Sequence, residues 1–143
     1  MRDDLLKAKR AIENGSSCAV CRGDLTIAKT GAGIAPLLSV LAESPDLSGF
    51  SAADKVVGSA AAFLLIEARA SEVFAFTVSE RAVNLLHRAG IPVSYVKMTD
   101  HIRNRTGDGL CPMEKRALEM DCADGAYRIF KERLEELRNE DHS

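Results

Sequence analysis

Apolar residues recur at helical spacing in the first segment, where Asp3 and Asp4 precede Leu5, Ala8 and Ile12, and Gly15 can close the helix in a left-handed conformation. Ser17 to Val20 and Leu25 to Lys29 flank Arg22-Gly23-Asp24, the pattern of a two-stranded hairpin. Beyond the glycine-rich Thr30 to Gly33, Pro36 suits a first helical turn and Leu37, Leu38 and Leu41 carry that helix to about Glu43. Ser51-Ala52-Ala53-Asp54 has the spacing of a capping box. The residues after it, from Val56 to Leu65, are apolar on nearly every side, which predicts a buried central helix beginning at Asp54 and Lys55.

Val73 to Val78 lacks polar alternation and reads as a strand covered on both faces. Ser79 can cap the next helix, whose apolar face is Ala82, Leu85, Leu86 and Ala89; Gly90 ends it, and Val93 to Met98 forms another strand. Pro112 opens a further helix, and Tyr127, Phe130, Leu134 and Leu137 mark a last amphipathic one. This order predicts an α/β protein, a three-layer α/β/α sandwich with a mixed sheet. Loops leaving the carboxyl ends of strands converge on the ligand crevice in such sheets, which would join Ser79 to Arg81 with the segment from Thr99 to Cys111.

Composition narrows the partners. The 143 residues are 46% hydrophobic, enough for a single domain spanning 1–143 with a sizeable core. Nineteen basic against 21 acidic residues give a net charge of -2, with no basic run to follow a nucleic acid or a membrane surface. No signal-like or membrane-spanning apolar stretch is present, which predicts a cytoplasmic protein. In that compartment four cysteines are thiols, metal ligands or nucleophiles before they are disulfides.

The densest chemistry lies from Asn104 to Glu114. Asn104, Arg105 and the Gly107-Asp108-Gly109 turn offer a guanidinium fork and backbone amides to a phosphate or carboxylate, or else hydrogen bonds that merely hold a loop. Cys111 stands just before Pro112, where helix amides favour a thiolate, and Glu114 lies three positions on. Cys111 is thus a candidate nucleophile, with Glu114 or His101 moving protons, against the plainer reading of a capping residue. Lys55 with helix-start amides could meet a phosphate, and the small run Gly58 to Ala62 leaves room for a ligand or for close packing. Cys18 and Cys21 have zinc-like spacing but no second pair to match; their odd spacing on a strand points them to opposite faces.

Asp54-Lys55-Val56-Val57-Gly58 with Ala60-Ala61, the segment Gly31 to Leu38, and Asn104-Arg105-x-Gly107-x-Gly109-x-Cys111-Pro112-x-Glu114 resemble a prokaryotic family catalogued as a domain of unknown function, number eighteen ninety-three. The resemblance covers nearly the whole chain and implies a cytidine-deaminase-like fold and a homo-oligomer. Zinc deaminases use a His or Cys, a proton-moving Glu and a Pro-Cys-x-x-Cys pair. This chain instead reads Val57-Gly58-Ser59-Ala60 and Val78-Ser79-Glu80-Arg81 at the corresponding places, so zinc-dependent deamination and a metal cofactor are not expected. The expectation is a zinc-free pocket for a nucleotide-class small molecule, in which Lys55, Arg105 and the glycine amides of 107 and 109 meet anionic groups and Asp54, Ser79, Asn104 and Asp108 make polar contacts. The alternative is a non-catalytic ligand sensor or oligomeric interaction protein.

Overall fold

A computed structural model of the chain describes residues 3–102 and 111–142. Its elements are α1 (Asp3–Glu13), β1 (Cys18–Arg22), β2 (Leu25–Lys29), α2 (Ala35–Glu43), β3 (Ser51–Val57), α3 (Ser59–Ala68), β4 (Glu72–Ser79), α4 (Glu80–Arg88), β5 (Val93–Thr99), α5 (Pro112–Leu118) and α6 (Ala126–His142). The fold is mixed α/β. Five strands form one sheet in the order β2-β1-β3-β4-β5, in which β1 runs antiparallel to both neighbours while β3, β4 and β5 are mutually parallel.

The sheet's two faces are covered unequally. Leu5, Ala8 and Ile12 of α1 pack on Ala19, Cys21, Ala53 and Phe74, the residues whose side chains alternate to that face. The opposite face carries Cys18, Val20, Ala52, Val73 and Ala75 beneath α2, α3 and α4, with α6 packed on α2 and α3. Cys18 and Cys21 therefore fall into different cores, as their spacing requires. On the edge strand β5, Tyr95, Val96 and Met98 are exposed, Val96 to 68%. Among the described residues, no helix is long and apolar enough to cross a membrane.

Most elements lie where the apolar pattern puts them, with one consequential exception. Ser51 to Val57 is a strand, not the start of the central helix, and that helix begins only at Ser59 with Gly58 in extended conformation before it. Asp54 and Lys55 are strand residues. The reason is tertiary: this segment is bonded on one side to β1 and on the other to β4, whereas in the sequence Val56 and Val57 join the apolar residues of α3 into one helix-like run. Ser51 does not cap a helix; its hydroxyl donates to Glu72 at 2.7 Å.

A glutamate and an arginine join helices end to side. Glu67, near the end of α3, accepts the N–H groups of Gly125 and Tyr127 at 2.5 and 2.8 Å and so caps the start of α6. Arg81 of α4 lies 5.5 Å from the Phe63 ring and donates to the carbonyls of Ala117 and Met120 at 2.9 and 3.1 Å, closing the end of α5. Phe63, fully buried, lies beneath this guanidinium. Phe63→Ala is expected to destabilise the protein by about 3–5 kcal/mol, read from the midpoint of urea unfolding.

Candidate functional site

A cavity of about 700 Å³ opens at the carboxyl end of β3. One wall is the turn from Gly31 to Ile34 that leads into α2. Ser17 fixes this turn by accepting the Gly31 N–H at 3.1 Å and donating to the Gly31 carbonyl at 2.9 Å. Glycine is required at both ends of the turn, since Gly31 and Gly33 have φ of 155° and 61°. Asp54, Lys55 and Val56 form the strand wall, and Gly58, Ala60 and Ala61 bring the first turn of α3 to the same space. Ile102, Cys111 to Glu114, and Leu134 and Leu137 of α6 complete a mostly apolar enclosure.

Asp54 is one of two buried carboxyls of this site, only 9% exposed. It stands opposite Cys18 in the antiparallel register and accepts the Val56 N–H at 3.3 Å. Burial pushes its carboxyl up to about 7, and hydrogen bonds from the Val56 and Lys55 amides and the Cys18 thiol, with the Lys55 charge, only partly oppose that rise. Burial and the adjacent carboxylate together hold Cys18 well above the usual thiol range, so it remains an S–H donor.

Glu114, 5% exposed, is the second buried carboxyl. Its Oε1 accepts the Ala60 N–H at 3.0 Å, so α5 supplies the cap that α3 lacks from its own Gly58. The approach is close: a Cβ on Gly58 would stand 2.6 Å from Glu114 Cδ and 2.7 Å from Ile102 Cγ1. Close packing explains the glycine here. The strand-to-helix boundary at 58 would have been found by weighing this glycine as a breaker between two apolar runs.

The remaining candidates divide. Cys111 is half-buried on the cavity wall and precedes the helix at Pro112, but its side chain makes no cap hydrogen bond; its N–H donates to the Ile102 carbonyl at 3.2 Å. Ser79 is buried and accepts the Ala82 N–H at 3.2 Å, away from the cavity. His101 is exposed in a separate polar hollow of about 390 Å³, shared with Arg81, Arg88 and Asp100. The structure thus groups Asp54, Lys55, Cys111 and Glu114, and separates Ser79 and His101 from them. Asn104, Arg105, Gly107, Asp108 and Gly109 lie outside the described residues. Among the described residues no three His, Cys, Asp or Glu side chains converge to hold a metal.

Two outcomes are expected. Gly58→Ala should destabilise by about 1–3 kcal/mol through overpacking, and less when combined with Glu114→Ala, a coupling measurable in a double-mutant cycle by urea unfolding. Asp54 favours its protonated form in the fold, whereas in the unfolded chain it ionises near pH 4. Its contribution is therefore fully present below about pH 4 and declines by about 1.4 kcal/mol per unit as pH rises through about 7. Asp54→Asn should flatten that part of the stability profile, and an unchanged slope between pH 4 and 7 would contradict the assignment.

A crystal structure of a DUF1893 family protein (TM1506) from Thermotoga maritima, at 2.70 Å resolution, superposes with a TM-score of 0.82 at 26% identity, covering 93% of this chain and 92% of that one. No curated protein matches the sequence. The family model TM1506, described as a domain of unknown function (DUF1893), matches residues 7–134. With the match extending over most of its length, the chain belongs to the DUF1893 family.

Proposed function

We propose that this protein is a zinc-free domain of cytidine-deaminase-like architecture that binds a nucleotide-class small molecule in the cavity beside β3. Helices on both faces of a mixed five-stranded sheet support the architectural part of that reading. The observation that carries the binding part is the convergence of two helix starts on one apolar enclosure. The turn into α2 and the first turn of α3 both line it, and neither helix has a hydrogen bond from the side chain of its own N-cap residue. The Ala60 amide of α3 is taken by Glu114, so it is the start of α2 that offers amides to an anion, and Lys55 on the adjoining strand adds a cation. The wall formed by Ile34, Val56, Ile102, Met113 and Leu134 suits the flat apolar faces of a heterocycle.

A thiol step, if the cavity performs one, falls to Cys111. Its two proposed proton carriers are placed differently: Glu114 spends Oε1 on the Ala60 amide, and His101 belongs to the other hollow. The reading offered is therefore binding, with Cys111 as the nucleophile of any chemistry built on it.

Native mass spectrometry of protein purified without added ligand should show a retained nucleotide-sized mass, or nucleoside monophosphates should raise the melting temperature. Lys55→Ala should weaken a nucleoside monophosphate about tenfold or more while changing the parent nucleoside little, since a charge-assisted contact is lost only in the former. No thermal shift with any nucleotide and a bare native mass would reject the proposal.

A further inference from the structure

We infer that the open edge strand β5 pairs with β5 of a second copy of this chain, antiparallel about a two-fold axis at Val96, so that two sheets join into one. This surface is separate from the β3 cavity and holds whatever that cavity binds. β5 is the last strand of the sheet, and among the described residues no strand pairs with its outer edge. Solitary proteins blunt such edges with proline, bulges, a covering helix or several charges. β5 reads Val-Ser-Tyr-Val-Lys-Met-Thr, with Lys97 as its one charge, and its register with β4 runs unbroken from Val93 to Thr99. Three of the six large apolar side chains exposed among the described residues, Tyr95, Val96 and Met98, lie on this strand.

Both sheet faces beside that edge are partly open. The register sets Ser94 beside Phe74, so Ser94 and Val96 share the face that carries α1. α1 lies chiefly over β1 and β3, which leaves Val96 68% exposed next to the half-buried Phe76. Phe76 packs edge-on to Phe74 with centroids 5.1 Å apart, so an apolar strip runs from the α1 core out to the free edge. On the other face α4 packs on β4 and β5 but leaves Tyr95 42% exposed.

The strand is matched to itself. Val96 is the middle of its seven residues, so an axis there pairs the whole strand and any shift shortens the overlap. In that register Val96 meets Val96 of the second copy, and Tyr95 meets Lys97 twice, an ammonium beside an aromatic ring. An axis one residue further on, at Lys97, would set two ammoniums directly opposite each other. Length and charge therefore select the same arrangement, and a two-fold pairing closes on itself with no edge left between the copies. Seven residues of strand run about 23 Å, and with side chains on both faces the contact buries on the order of 500 Å² per copy. That area lies at the low end for specific interfaces, so the dimer should be weak, with a Kd on the order of 10 μM.

Sedimentation velocity on the unsubstituted chain, from about 1 μM to about 1 mM, should show a monomer passing into a dimer as concentration rises. Val96→Lys, which places two like charges on the axis, should raise the Kd about tenfold or more. Its urea midpoint should stay unchanged, because Val96 is exposed in the single copy. Val96→Cys should give a dimer linked between the two introduced thiols on mild oxidation, mapped by mass spectrometry of the joined peptides. Ser94→Cys and Met98→Cys should link to each other when the two variants are mixed, and neither should link to itself. A monomer at every concentration would overturn the pairing, as would a dimer that Val96→Lys leaves intact and that is not linked at position 96. Growth beyond a dimer would indicate pairing of unlike edges, β2 with β5, and would overturn the two-fold arrangement. The cross-linking comparison stands even if Val96→Lys fails to fold.

Discussion

A carboxyl group buried in the middle strand is the constraint around which this molecule is arranged. Strand β3 has neighbours on both edges, so its position is fixed by hydrogen bonds to β1 and β4 before any side chain is considered. Asp54 then has to be accommodated against Cys18 on one neighbour and Ala75 on the other, both small. Burial of the anion raises this carboxyl to about 7, so that the neutral acid, which shares the apolar environment at a much lower cost, is present beside the anion at neutral pH. A cavity beside it, rather than a packed side chain, leaves the group an exit to its charged state.

The helices around the cavity are linked by borrowed caps. Glu114 on α5 serves the start of α3, and Glu67 on α3 serves the start of α6. In each case a carboxylate from one helix meets amides at or just before another's first turn, a charge-assisted contact stronger than a neutral hydrogen bond. α3 is accordingly held at both ends, and with it the first turn that borders the cavity. The geometry of the site is an outcome of helix packing as much as of the strand that carries Asp54.

The sequence made the alternation of strands and helices legible wherever a pattern had a clear stop. Gly15, Gly90 and Pro112 mark ends that the structure keeps, and the hairpin follows from Gly23 between two short β-prone runs. It is illegible at residues 51–57 because Val56 and Val57 run into the apolar residues of α3 as one helix-like pattern, and Ser51 with Asp54 imitates a cap. The misplaced boundary displaces the site's chemistry without removing its residues: Lys55 reads as a helix-start anion contact and Asp54 as a polar contact beside it, and both line the cavity from a strand. Ser17, Gly31 and Gly33 were missed as lining residues, since their roles depend on a turn brought to β3 by long-range contacts. Glu114 was read as a proton carrier, and its burial against a helix start fifty-four positions away has no local signal.

The close approach of Glu114 to Gly58 also orders the history open to this pair. A side chain at position 58 meets the carboxylate and Ile102 while residue 114 keeps its length, so substitution there is penalised in the present background. Once residue 114 has shortened, one of these two contacts is relieved and the same substitution costs less, but α3 has by then lost its cap. Drift at these two positions is therefore epistatic and directional, with 114 changing before 58, and a lineage that has taken both steps would not recover the original arrangement by reversing position 114 alone.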